Sequence, residues 1–122
     1  MSIRFTVDHA AKRVDATAEG PTTCEEICNH LLLERTYHGL PYPELVEARN
    51  AIPAFTSAEV RIIVDLLREL GREDKLGPTA VIVGSELAFG MMRMLGILSE
   101  DVCAIQPFWN REEGESWLRQ PG

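Results

Sequence analysis

Thr79-Ala80-Val81-Ile82-Val83 is a continuous apolar run with no polar alternation. Such a run predicts a strand buried on both faces, as in the middle of a parallel sheet. Gly84-Ser85 follows and turns the chain into a helix from Glu86 to about Leu98. Downstream, Val102-Cys103-Ala104-Ile105 reads as a further strand, ended near Pro107. Asn110 with Glu113 has the spacing of a capping box and opens a last helix carrying Trp117 and Leu118.

Upstream of the apolar run, Thr56 and Glu59 form a second capping box. Val60, Ile63, Val64, Leu67 and Leu70 follow at helical spacing until Gly71 stops the helix. Glu44 to Glu47 is a short interior strand, set between a loop at 36–43 with Gly and two Pro and a loop from Asn50 to Phe55 broken by Pro53. Thr23 with Glu26 caps another helix, which places Cys24, Ile27, Cys28 and Leu31 on one face and ends near Glu34 or Arg35. Ile3, Phe5 and Val7 alternate with polar neighbours, and Val14, Ala16 and Ala18 do so within Arg13 to Glu19. The two segments predict an N-terminal hairpin whose second strand stops at Gly20-Pro21. The order is β-β-α-β-α-β-α-β-α: an α/β domain over residues 1–122, with a mixed sheet of about five strands and four helices. There is no internal repeat, low-complexity tract or linker.

A chain of 122 residues buries about two-thirds of its unfolded surface, enough for a core without disulfides or metals. The net charge of −7 argues against general nucleic-acid binding and against attraction to anionic membranes. Three cysteines suggest reduced thiols in a reducing compartment. Met1-Ser2-Ile3-Arg4-Phe5 lacks the basic start and long apolar run of a signal peptide, and no apolar stretch is long enough to span a bilayer. The expectation is a cytoplasmic protein.

Cys24, Cys28, His30 and His38 offer thiolates and imidazoles for a metal. Both cysteines share the face of Ile27 and Leu31, with His30 pointing away, so the expected role is structural, with no metal and no cofactor. Cys103 sits in a predicted strand with no base beside it, which is also a structural reading. Gly84-Ser85-Glu86 is a strand-to-helix turn, but Glu86 repels a phosphate there, and no phosphate-loop pattern is present. Helix 86–98 is apolar nearly all round. Leu87, Met91, Met94, Leu95 and Leu98 form one face. The other side, with Phe89 and Met92, is left for a partner subunit, an apolar ligand or another part of the chain. Arg93, the one charge in that stretch, faces solvent or pairs with Glu86 or Glu100. Phe89, Met92 and Arg93 are the candidate interface or ligand surface. Thr56 and Ser57 stand at a helix start, where capping is the plain role and phosphorylation the alternative. No constellation of nucleophile, base and orienting group is visible, so no catalytic residue is expected.

Thr79–Leu98 (TAVIVGSELAFGMMRMLGIL) and Val102–Leu118 (VCAIQPFWNREEGESWL) resemble the C-terminal half of bacterial STAS-like proteins of the anti-sigma-factor-antagonist type. The matching residues are Phe89, Gly90, Arg93 and Met94, then Phe108, Arg111, Glu112, Glu113, Trp117 and Leu118. Over the first part of the chain the likeness lies in element order alone. The resemblance implies a STAS-like or related SEC14-like fold and a non-enzymatic protein-interaction or regulatory module, with a protein partner or self-association as a homodimer. It also implies a phospho-switch in an Asp-Ser-Ser-Gly-like run. Here the run is Phe55-Thr56-Ser57-Ala58, with Ser57 the nearest match and both the Asp and the Gly missing. The alternative is a carrier of a small apolar ligand or lipid, with helix 86–98 and the Tyr37 to Tyr42 loop bordering its pocket.

Overall fold

The computed structural model describes residues 2–120. Its elements are β1 (Ile3–Asp8), β2 (Arg13–Thr23), α1 (Cys24–Thr36), β3 (Glu44–Ala54), α2 (Ser57–Leu70), β4 (Thr79–Val83), α3 (Glu86–Leu98), β5 (Ile105–Phe108) and α4 (Arg111–Leu118). The five strands lie side by side in chain order. β1 runs antiparallel to β2, and β2, β3, β4 and β5 are mutually parallel. The expected order and the expected mixed sheet are both present.

The pleat sorts the strands onto two faces. Val14, Glu44 and Thr79 stand in register, as do Ala16, Val46 and Val81. This face is covered by α1, α2 and α3, whose Cys24, Val60, Ile63, Val64, Leu67 and Leu95 form the main core. The opposite face presents Leu45, Ala80 and Ile82 to Leu118 of α4. Gly114 lets α4 lie close: a Cβ there would come within 2.8 Å of Ile82 Cδ1. Gly96 does the same for α3, since a Cβ there would overlap the backbone carbonyl of Ile105 in β5. β4 is buried from Ala80 to Val83, as its unbroken apolar run requires.

Thr23 and Thr56 each cap their helix in a full capping box. Asn110 caps α4 only through its side chain: Oδ1 accepts from the Glu113 N–H at 2.9 Å, and Glu113 returns to the Asn110 side-chain amide rather than its backbone. Ser85 caps α3 by accepting from the Ala88 N–H.

Three strands differ from expectation. β2 and β3 run on past β4's end as a two-stranded ribbon, pairing Glu19–Thr23 with Asn50–Ala54. Pro21 and Pro53 are accommodated because β1 pairs only as far as Ala18 of β2 and β4 only as far as Ala48 of β3, which leaves the ribbon with open edges. A register shift beside Gly20, at φ 69°, takes up the offset. β5 starts at Ile105 rather than Val102, because the N–H groups of Val102 and Cys103 turn back to the Ser99 carbonyl. Pro107 lies inside β5, which is an edge strand and tolerates it.

Candidate functional site

α1 carries Ile27, His30, Leu31 and Glu34 at positions i, i+3, i+4 and i+7, the spacing of a single helical face. That face lies over the sheet. His30 and Glu34 are therefore buried, contrary to the expectation that His30 points away. Below them is Glu44, the first residue of the central strand β3 and also buried. Its N–H is held by the Pro78 carbonyl at 2.8 Å, and its side chain rises toward α1. His30 Nε2 lies 2.7 Å from Glu44 Oε2 and 2.8 Å from Glu34 Oε1. Only the first contact is aligned as a hydrogen bond, so Glu34 Oε1 is left without a hydrogen-bond partner, as is His30 Nδ1. Phe5 packs edge-on against the His30 ring, with centroids 4.9 Å apart.

Burial by itself would lower the His30 pKa, but its close contacts with Glu34 and Glu44 and the charges of both outweigh it and raise the pKa to about 10. Burial, followed by the charge of Glu44, pushes Glu34 up to about 8, against the pull of His30. Both shifts favour the protonated forms of His30 and Glu34.

His30 and Glu44, with Thr22, Tyr42 and Thr79, are the polar residues on the wall of a cavity of about 140 Å³ between the sheet and helices α1–α3. The rest of the lining is almost wholly apolar, with Val46, Ala48 and Val81 from the strands and Ala88, Met92 and Leu95 from α3. Leu40 and Tyr42 close it from the loop after α1. Cys103 also lies on the wall; burial first, then the charges of Glu44 and Glu34, raises its thiol to about 12.

The candidate surface on α3 divides. Met92 turns inward to the cavity. Phe89 stacks on Trp109, with ring centroids 5.0 Å apart and planes 5° apart. Arg93 is exposed, and among the described residues it joins no ion pair. Of the expected apolar face, Met91, Met94, Leu95 and Leu98 pack into the helical core, while Leu87, in the first turn, is 61% exposed. Thr56 is occupied as the N-cap of α2, and Ser57 is exposed beside it.

The four residues weighed as metal ligands do not meet as a set. Cys24 is in the helical core, where its thiol donates to the Glu59 carbonyl. Cys28 has its pKa raised to about 11 by burial and by Cys24. His38 is exposed in the loop, at φ 60°. All three cysteines are free thiols. The cluster that does form could have been found from the i, i+4 pair His30 and Glu34 falling on the same face as Ile27 and Leu31. Its third member, Glu44, carries no signal in the sequence.

Fold and site together define an α/β protein with a mixed five-stranded sheet and a polar cluster and an apolar cavity under its helical layer. Among solved structures, the chain is similar to an uncharacterised protein of the DUF3478 family from Shewanella loihica PV-4, described as having a SpoIIAA-like fold. The identity is 19%, the likeness covers 96% of this chain and 94% of that one, and the TM-score is 0.62. It shows the fold. No family model and no curated protein matches the chain. Among the described residues, no helix is long and apolar enough to cross a membrane.

Proposed function

We propose that the protein binds a small, largely apolar molecule in the cavity between the sheet and α1–α3. The observation that carries this reading is the cavity itself, about 140 Å³ with a nearly continuous apolar wall. Roughly this volume holds a benzene-sized molecule in a protein interior. Well-packed interiors contain few voids larger than a water, so an apolar space of this size has a use or a cost. The position supports a carrier role, since the α3 residues Ala88, Met92 and Leu95 and the loop residues Leu40 and Tyr42 border it.

Toluene is expected to raise the melting temperature of the wild type. At roughly one hundred times its dissociation constant the gain is about 2.7 kcal/mol. Ala48→Leu, which fills the cavity from the central strand, should fold and lose that response. A wild type indifferent to toluene sinks the reading.

A second reading rests on the outer side of α3. Phe89, Arg93 and Ile97 are spaced four residues apart: Arg93 and Ile97 face outward, Ile97 being 57% exposed, and the half-buried Phe89 stacks on a Trp109 that is 48% exposed. In this reading the STAS-like fold serves protein contacts, including self-association, and phosphorylation at Ser57 adds charge at the start of α2. Light scattering should then give a dimer mass for the wild type and a monomer for Phe89→Asp. A strictly monomeric wild type removes the self-associating form.

A further inference from the structure

We infer that His30, Glu34 and Glu44 form a binding site for a divalent transition-metal cation of the zinc class, with its open coordination position on the apolar cavity. This does not rest on the apolar-ligand reading, because it uses only three side chains and where they converge.

One imidazole nitrogen and two carboxylate oxygens, from an i, i+4 helical pair and the strand below it, lie within 4.8 Å of one another. All three residues are buried. Glu34 Oε1 is the independent pointer. Its side chain is 4% exposed, the atom has no hydrogen-bond partner, and it is turned to within 2.8 Å of His30 Nε2. An acceptor buried that deeply and aimed into a cluster is costly unless something takes its lone pair.

A single nitrogen and two oxygens suit zinc, a borderline ion that takes imidazole and carboxylate alike. Charge favours it as well: zinc displaces the protons of the imidazolium and of Glu34 to solvent, and the dication with the resulting neutral imidazole and two carboxylates is neutral overall, which burial demands. Tetrahedral zinc bonds of about 2.0 Å set ligand atoms about 3.3 Å apart. The observed 2.7 and 2.8 Å must therefore open by about half an ångström. The cavity gives the side chains room for that movement. Three protein ligands, two of them (His30 and Glu44) on the cavity wall, make the open kind of zinc site, which keeps a position for water or a bound molecule.

Chelator-treated protein titrated with ZnCl₂ in a calorimeter should bind one ion per chain. CoCl₂ in its place should give the visible absorption of a tetrahedral site. Glu34→Gln and Glu44→Gln each keep the side-chain shape and remove a ligand charge, and each should weaken zinc binding by about a hundredfold or more. Glu73→Gln, at an exposed loop position, should leave binding unchanged. Circular dichroism establishes that each variant folds; if Glu44→Gln does not, the Glu34→Gln comparison decides alone. Wild-type binding below one ion per chain, or binding that survives either substitution in a folded variant, overturns the inference.

Discussion

His30→Ala is expected to destabilise the chelator-treated protein by about 3–5 kcal/mol, the range for breaking a buried ion cluster by removing one partner. Among the described residues the imidazole is the only cationic group in contact with Glu34 and Glu44, and the side chains of all three are less than a tenth exposed. Without it two carboxyls face each other in an apolar layer, and Glu44 loses its 2.7 Å hydrogen bond. The truncation also enlarges the cavity that His30 lines, which adds a packing loss. Replacing all three residues by leucine removes the buried polar groups together and should recover most of the stability. Urea denaturation of the two variants beside the wild type measures both effects. A His30→Ala loss below about 1 kcal/mol, outside that range, would mean the cluster is not held as described.

Stability should fall as pH rises from 6.5 toward 10. His30 goes from an ordinary 6.5 to about 10 in the folded protein, so its contribution is complete below 6.5 and is lost as pH climbs through 10. Glu34 goes from 4.5 to about 8, and its contribution is likewise lost as pH climbs through 8. Each group changes stability by up to about 1.4 kcal/mol per pH unit within its window. The windows overlap between 6.5 and 8, where the slope is steepest. Glu26 acts in the opposite sense. Hydrogen bonds from the Ser2 hydroxyl, then the Thr23 and Ser2 backbone, lower it to about 2, so its contribution is present above 4.5 and lost in acid. The stability maximum set by these groups therefore falls near pH 4.5, where the gain from Glu26 is complete and the loss from Glu34 begins. Denaturation curves across this range, with chelator present, should show the decline. Glu34→Gln should make the decline between pH 6.5 and 8 shallower and keep the part above pH 8. A wild type equally stable at pH 6.5 and pH 9 is incompatible with protons held on His30 and Glu34 as described.

Two parts of the molecule differ in how far local pattern reaches. The apolar run at β4, the periodicity of Val60 to Leu70 and the capping pairs Thr23–Glu26 and Thr56–Glu59 are set by neighbours within a few residues, and they read correctly. The ends of β2, β3 and β5 are set by what lies beside them. Proline was read as a break at positions 21, 53 and 107, and each is tolerated because an open edge makes no demand on its missing N–H. The spacing of His30 and Glu34 was legible as one face of α1, yet a histidine and a glutamate on a core-facing stripe look like misplaced surface residues until a partner is known.

The amino-acid sequence by itself determined the order of elements and the capped starts of α1 and α2, and it located the strand buried on both faces. These follow from side-chain period and short-range hydrogen bonding. The resemblance in Thr79–Leu98 and Val102–Leu118 indicated the STAS-like fold. Only the tertiary structure decided that Glu44 meets His30 and Glu34, that Met92 lines a cavity while Phe89 stacks on Trp109, and that the space beneath α1–α3 is incompletely filled. Glu44 and His30 are 14 residues apart and on different elements. Their contact depends on where the α1–β3 crossover sets its helix on the sheet, which no local pattern records.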